Sequence, residues 1–489
     1  MTKMHRPFAI LLVILLALTG YRALVLHFSG LTLYVDEAQY WSWAQALDWG
    51  YYSKPPVIAA VIAATTAVCG DGELCIKSGA LLIYPLTALL VYALARRFAD
   101  ARTAFWSALV FITLPGVSFS SLIISTDVPL FLCWTAALYG FVRALESNAW
   151  HWWLLLGLAA GLGLLTKYTM GIFALAAGLY LWVTPAQRHQ FFNPRLYFAA
   201  ALAAGLFAPN LWWNARHGWP TLQHTADIAQ NDSGGLHWDE LLEFLGGQAA
   251  LIGPVLFAAF IVLLASGRWR RDPVQRLLAC FTLSFLVLIS AQALLGRANA
   301  NWAAMTWTAG TIWLVLWLLP AHRAVLIAAL ASNLLLAVVA YHYHALARSA
   351  GVEMTSKSDV YKRIQGWDRA GAEVRTVLAQ NPGARLLTDD RDLIAQLLYY
   401  ARPESAGAVM WNPRGDVITH YHLSTTMQDK IGRDFVYVSR ASELAPSIDN
   451  CFSSQRILGV FHVPIARHYA LDLQAWRLNG FKGYAACMP

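Results

Sequence analysis

Apolar stretches of about 17 to 22 residues recur along most of the chain, and their length matches a helix that crosses a bilayer core of about 30 Å. The pattern predicts spans at roughly 8–28, 77–98, 103–123, 127–144, 151–165, 168–183, 196–213, 247–266, 275–295, 302–319 and 321–342. That makes about eleven transmembrane helices and at most thirteen. The first lacks a small-residue cleavage pattern and is followed by many more spans, so it reads as a retained helix. The apolar run from Pro56 to Cys69 is short for a crossing and reads as an interfacial or bundle-packed segment.

Polarity changes after about His344. The remaining residues alternate in the manner of an α/β domain, with "ARLLTDDRD" as strand then loop, "DFVYVSR" and "RILGVFHV" as strands and "LIAQLLYYA" as a helix. The expected architecture is therefore a polytopic α-helical membrane domain over 1–343 and a small C-terminal α/β domain over 344–489, with a long first outer loop over about 29–76.

Composition agrees: 58% of the 489 residues are hydrophobic and 13% charged, with a mean hydropathy of +0.46. One soluble globule is excluded. The net charge of +8 is mostly a topology signal. With the N-terminus inside, the inner connections hold Lys3, Arg6, Arg96, Arg97, Arg102, Arg143, Arg188, Arg195, Arg268, Arg270, Arg271, Arg276 and Arg323. The outer short loops hold fewer: Lys54, Lys77, Lys167, Arg216 and Arg297. This is the positive-inside bias. Basic residues scattered over turns give no argument for nucleic acid. An odd span count then places the tail outside, and the outer cysteines form two pairs suited to disulfides, Cys69 with Cys75 and Cys451 with Cys487. Cys133 and Cys280 fall inside spans.

The first outer loop opens with "LYVDEAQYWSWAQALDWGYYSKPPV". Tyr40, Trp43, Ala44 and Leu47 recur at helical spacing, which predicts an amphipathic interfacial helix. Asp36 then reads as its N-cap, Glu37 as favoured by the helix dipole, and the aromatics as an interfacial belt. Other observations favour chemistry. Lys54 is stiffened by Pro55 and Pro56, Asp127 stands at the outer mouth of a span in "ISTDVPLF", and Lys167 and Arg297 sit at outer span ends. Ionisable groups at membrane depth usually face a cavity or a partner, and all of these converge on one face. A carboxylate can take a proton from an acceptor hydroxyl, and cations can stabilise a departing phosphate. No phosphate-cradling glycine loop is present, so no nucleotide is called for.

"DEAQYWSWAQALDWGYYSKPP", "STDVPL", "LGLLTKYTMG" and "NANWAA" together resemble bacterial membrane glycosyltransferases of the protein O-mannosyltransferase superfamily, in the branch of lipid A and lipopolysaccharide-core galacturonosyl and aminoarabinose transferases. The resemblance covers about residues 8–342 and implies a GT-C fold. It implies an inner-membrane enzyme with a cytoplasmic N-terminus and a periplasmic tail. The donor would be a polyprenyl-phosphate-linked sugar and the acceptor lipid A, lipopolysaccharide core or a similar lipid. It assigns Asp36 as catalytic base or acceptor-orienting group, Glu37 as its support or a metal ligand, and Asp127 as a second site carboxylate. Lys54, Lys167 and Arg297 would contact donor phosphate, and Tyr40, Tyr52, Tyr168 and Asn301 the substrates. In the aminoarabinose transferases a glutamate of a metal site precedes the Lys-Pro lysine; Ser53 stands there in this chain. A divalent metal is therefore left open, with Glu37 and His224 as weak candidates; a loop histidine is more often a plain polar contact. The expected step is displacement at the anomeric carbon with inversion.

Competing readings are a flippase or transporter, a protein O-glycosyltransferase, a phosphoethanolamine transferase with a metal cluster, and a scaffold. A transporter would place its charges near the midplane in matched halves. "LLTDDRDLIAQLLYY" in the tail reads as an acceptor surface or a lid, with Asp389 and Asp390 more ordinarily a solvated turn. "EFLGGQ" at 243–248 predicts close helix packing through Gly246 and Gly247.

Overall fold

The computed structural model describes residues 6–230, 234–270 and 272–487, so Lys3 and Arg271 of the connections expected to be inner lie outside the described residues. The chain forms two compact units. The first holds the chain up to Phe28, Lys54–Val61 and Lys77–Tyr343; the second holds Ser29–Ser53, Ile62–Ile76 and the chain from His344 on. Much of the first loop therefore groups with the tail.

In chain order the principal helices are α1 (Arg6–Phe28), α2 (Val35–Ala44), α3 (Val57–Cys69), α4 (Glu73–Ala95), α5 (Ala101–Thr113), α6 (Pro115–Ser120), α7 (Asp127–Ser147), α8 (Trp150–Leu164), α9 (Ile172–Val183), α10 (Pro194–Arg216), α11 (Pro220–Ala229), α12 (Trp238–Ile252), α13 (Pro254–Ala265), α14 (Pro273–Leu295), α15 (Thr306–Ala321), α16 (Arg323–Tyr341), α17 (Tyr343–Ser349), α18 (Trp367–Ala379) and α19 (Arg391–Tyr400). The strands are β1 (Arg385–Thr388), β2 (Val409–Met410), β3 (Phe435–Ser439), β4 (Phe452–Ala466) and β5 (Tyr469–Phe481).

Among the described residues, six helices (α1, α4, α7, α10, α14 and α16) are long and apolar enough to cross a membrane, and α12 with α13 makes a seventh candidate. The remaining expected spans are shorter or broken, and the breaks have local causes. The stretch expected as one span at 103–123 divides at Leu114–Pro115, where Leu114 is extended (φ −52°, ψ 136°). Proline has no N–H and pushes the preceding residue out of the helical region. The break is closed by Arg22 of α1, buried at 2% exposure. Its guanidinium donates to the Ile112 carbonyl at 2.8 Å, to Tyr341 Oη at 2.9 Å and to Ser118 Oγ at 3.2 Å. A charge that no sequence pattern had marked is thus spent on backbone freed by a proline.

The expected span 247–266 is likewise two helices, bent by 112° at Gly253. Gly253 has φ +90°, and a Cβ there would lie 2.0 Å from Asn333 Oδ1. Asn333 Nδ2 in turn donates to the Ile252 carbonyl at 3.1 Å. Both the left-handed conformation and the close approach require glycine.

The second unit contains a five-stranded sheet of order β2-β1-β3-β5-β4. β2, β1 and β3 run parallel, with Leu387 opposite Val409 and Leu386 opposite Val436, while β5 is antiparallel to both β3 and β4. β3 is buried along its whole length, as suits a central parallel strand. Leu387, Val409, Phe435, Tyr437, Trp476 and Leu478 belong to its core. The three tail strands read from the sequence are present, and β2 and β5 are additional. Disulfides join Cys69 to Cys75 and Cys451 to Cys487, with Cα atoms 5.9 and 4.7 Å apart.

Of the paired glycines in α12, only Gly247 makes the close approach: a Cβ there would meet Ala300 Cβ at 2.5 Å, whereas Gly246 has nothing within 4 Å. Gly247→Ala should therefore destabilise the protein by about 1–3 kcal/mol through overpacking. Gly246→Ala should be neutral or stabilise by up to about 1 kcal/mol through helix propensity. Thermal unfolding of the two variants in detergent checks this; equal midpoints would contradict the packing described.

Candidate active site

Two groups of the expected residues are assembled, one in each unit. In the second unit, α2 begins at Val35 with Tyr34 at its N-cap position. Glu37 Oε2 accepts from the Tyr34 backbone N–H at 2.8 Å, so the third helical residue closes back on the helix start. Asp36 is therefore not the cap. Nor is α2 a surface helix: Val35, Glu37, Ala38, Gln39, Tyr40, Trp41 and Trp43 are all buried, on more faces than an amphipathic interfacial helix would hide. Tyr40, Trp41, Trp43, Tyr51 and Tyr52 are internal packing, and of the segment's tryptophans only Trp49 is exposed. Trp43 stacks on Tyr51 at 4.4 Å, His420 meets both rings edge-on at 5.3 Å, and Trp41 Nε1 donates to Asp71 at 2.7 Å.

The partner of α2 is α19. Asp390, expected as a solvated turn residue, caps α19 by accepting from the Asp392 and Leu393 N–H groups at 2.6 and 3.0 Å. That cap positions Arg391 in the first turn. Its Nη2 donates to Asp36 Oδ1 and its Nε donates to Gln39 Oε1 at 2.6 Å. Burial opposes the Arg391 charge, but Asp36, with Asp392 and Tyr40 adding to it, outweighs burial and holds the guanidinium proton more firmly than in water. Gln396 and Tyr400 of α19 fasten the chain before α2, donating to the Leu33 carbonyl at 2.9 Å and accepting from the Leu33 N–H at 2.7 Å.

Asp36 lines a cavity of about 410 Å³ with Tyr34, Arg391, Asp392, Lys362, Arg363 and Arg440. Burial, with Asp390 close by, pushes the Asp392 carboxyl above its ordinary range. A carboxylate offers about four acceptor positions, so Arg391 leaves Asp36 able to accept from a hydroxyl in the cavity. Glu37, fully buried, supports the helix start and is not in the cavity wall. Tyr40 and Tyr52 are buried as well and do not line this cavity.

In the first unit, Asp127 opens α7 and binds two of the other candidate site residues. Lys167 Nζ donates to its Oδ1 at 2.8 Å and Asn301 Nδ2 to its Oδ2 at 2.6 Å. Asp127 also lines a small cavity with Tyr84, Ser120 and Trp307. The ammonium expected to meet phosphate is thus already engaged by a carboxylate. Next to Lys167, Tyr168 Oη donates to Asn210 Oδ1 at 2.7 Å and accepts from Asn214 Nδ2 at 3.1 Å. The Lys54-Pro-Pro segment is drawn to the same turn, since the Val57 N–H donates to the Leu165 carbonyl at 3.1 Å. Arg297 lines a different cavity, of about 610 Å³, with Glu240 and Glu243 in its wall. Arg216 lies over the Trp212 ring at 4.5 Å.

Among the described residues no group of three or more His, Cys, Asp or Glu side chains converges as a metal site. Glu37 is committed to the α2 start, and His224 lies in α11 of the other unit. The residues that sequence reasoning missed are Arg391, Lys362, Arg363 and Arg440. "TDDRD" carried the only available signal, and its arginine gains meaning only from a partner far away in the chain.

The Asp127–Lys167 pair is mostly buried, with side-chain exposures of 10% and 14%. Removing one partner of such a pair strands a charge and costs about 3–5 kcal/mol, whereas replacing both is far milder. Lys167→Met should accordingly lower stability by about that amount, and adding Asp127→Asn should recover most of it. Denaturation of the single and double variants measures this, and an additive loss would refute the coupling.

Residues 53–213 match the model of the dolichyl-phosphate-mannose-protein mannosyltransferase family. The lipid A galacturonosyltransferase RgtD of Rhizobium johnstonii is 33% identical over 425 residues, covering 84% of this chain and 86% of that protein. The undecaprenyl phosphate-alpha-4-amino-4-deoxy-L-arabinose arabinosyl transferase of Erwinia tasmaniensis is 30% identical over 211 residues, 40% of this chain and 37% of that one. ArnT from Cupriavidus metallidurans, solved bound to undecaprenyl phosphate, has the same fold, with a TM-score of 0.65 at 16% identity over 94% of this chain and 97% of that one. With its several apolar helices and a relative of this similarity over most of its length, the chain belongs to the family of multi-pass membrane glycosyltransferases that includes the lipid A galacturonosyltransferase.

Proposed function

We propose that this protein transfers a sugar from a polyprenyl-phosphate donor to lipid A or lipopolysaccharide core, at the outer face of a bacterial inner membrane and with inversion at the anomeric carbon. The observation that carries the reading is Asp36, held by Arg391 in the wall of a cavity with acceptor capacity to spare. The similarity to a lipid A galacturonosyltransferase over most of the chain supports the acceptor class. The surplus of arginine and lysine in alternate short connections supports a cytoplasmic N-terminus and a periplasmic tail over 344–489.

In this reading Asp36 accepts the hydrogen bond of the acceptor hydroxyl and takes its proton as the oxygen attacks the anomeric carbon. The bond from that carbon to the phosphate oxygen breaks, and its electron pair leaves with the polyprenyl phosphate. Lys54 stabilises the leaving phosphate, and Asp127 with Lys167 and Asn301 orients a sugar through hydrogen bonds. Arg391 acts through Asp36 as a positioning residue. Attack from the face opposite the phosphate inverts the centre.

Asp36→Asn keeps the shape and removes the base, so transfer should fall by about 10²–10⁴-fold. Mass spectra of lipid A and core from cells carrying wild-type protein should show a sugar-sized addition that is missing with Asp36→Asn at equal membrane abundance. Identical spectra, or retention of configuration in a purified assay, would sink the mechanism.

Arg391→Gln should lower the rate by a smaller factor, and Arg391→Lys should restore part of it. Because the role is positional, the pH–rate profile should change in both, whereas a variant that merely unfolds a fraction of molecules would keep the wild-type profile.

A further inference from the structure

The cavity beside Asp36 has a charge that the transfer step just described does not use. Its wall carries four cations (Lys362, Arg363, Arg391 and Arg440) against two carboxylates, Asp36 and Asp392. Arg391 is matched by Asp36, and Arg440 approaches Asp390 at 3.7 Å. Among the described residues Lys362 meets no carboxylate: its Nζ donates to the Ser356 carbonyl and lies 5.8 Å from the Tyr469 ring. Arg363 is exposed and has no ion-pair partner among the described residues. Asp392 lies 4.0 Å from Arg391, so the carboxylates gather at Arg391 and Arg440, and Lys362 and Arg363 face the cavity without an ion-pair partner among the described residues.

The position of this cavity within the fold also points to a ligand. In open sheets with parallel strands, ligands bind outside the carboxyl ends of those strands. Asp392 and Arg391 follow the carboxyl end of β1, and Arg440 follows that of β3. A second cavity, of about 820 Å³, continues along the same edge and shares Arg391, Asp392 and Arg440. The first has a volume of about 410 Å³, within the range of about 300–1,000 Å³ that holds a small organic group. Trp367, Ile465, Tyr469 and Leu471 add an apolar wall, the kind of surface that covers the face of a sugar ring.

We propose that this edge of the tail sheet is the acceptor subsite, and that it takes a sugar bearing a phosphate monoester, with the phosphate at Lys362 and Arg363 and a hydroxyl at Asp36. A phosphate monoester carries about −1.5 to −2 charges at neutral pH and offers enough acceptor oxygens to pair with both Lys362 and Arg363. The proposal rests on the reading of Asp36 as the group that meets the acceptor. It assigns the ligand to the acceptor because the base and the anion-binding residues share one cavity wall.

The test is direct binding to the full-length protein in detergent, which does not depend on turnover. The probes are monophosphoryl lipid A, the same lipid after phosphatase treatment, phosphatidylglycerol and undecaprenyl phosphate. In Lys362→Gln/Arg363→Gln, the affinity for monophosphoryl lipid A should fall about tenfold to a hundredfold, as expected for the loss of charge-assisted hydrogen bonds. Affinity for the phosphatase-treated lipid and for undecaprenyl phosphate should stay as in wild type, and Lys362→Arg/Arg363→Lys should restore the loss. An equal loss for the dephosphorylated lipid, no loss at all, or a loss confined to undecaprenyl phosphate overturns the proposal. So does equal, Lys362- and Arg363-dependent binding of phosphatidylglycerol, which would make the cavity a general anionic-lipid site. Phosphate-dependent binding in a protein that transfers no sugar would uphold the subsite and overturn the glycosyl-transfer reading; transfer without such dependence would do the reverse.

Discussion

A guanidinium and a carboxylate 355 residues apart in the chain, Arg391 and Asp36, meet in one unit. The part of the first long loop that belongs to this unit and the tail are organised around that meeting. Each of the two charges is partly withdrawn from water, so each needs the other together with a fixed backbone. The backbone is fixed from both sides: Glu37 closes the start of α2 and Asp390 closes the start of α19. Two neighbouring carboxylates, Asp36 and Glu37, thus divide their work by environment, one buried in a cap and the other paired at a cavity.

The aromatic residues after Asp36 serve the same end. Trp41, Trp43 and Tyr51 are buried, and their stacking and hydrogen bonds hold α2 where its first turn can face Arg391. Rings of this size contribute large buried area at little entropic cost. The loop that carries the candidate base is therefore a packed part of the second unit, on a scaffold stiff enough to aim a side chain.

The membrane unit meets a different constraint, because backbone groups freed inside an apolar bundle have no water to turn to. The breaks at Pro115 and Gly253 are tolerated because Arg22 and Asn333 satisfy the carbonyls of Ile112 and Ile252. The same economy appears at Asp127, whose two oxygens are taken by Lys167 and Asn301. Those three residues come from "STDVPL", "LLTKYTMG" and "NANWAA", segments distant in sequence and each marked by a polar group at the end of an apolar run.

What the sequence by itself determined follows from period and length. Apolar runs of spanning length announced the helical membrane part, alternation in the tail announced strands in "ARLL", "DFVYVSR" and "RILGVFHV", and polar residues in costly places announced Asp36, Asp127 and Lys167. These are local properties, legible because each residue's cost depends on its near neighbours. Tertiary structure alone decided the rest. Whether a run of 20 apolar residues is one helix or two depended on partners such as Arg22 and Asn333 that accept the break. Arg391 became a partner of Asp36 because long-range packing settles which side chains face a cavity. A residue's chemical type is written in the chain, but its neighbours across hundreds of residues, and hence its charge environment, exist only once the chain has folded.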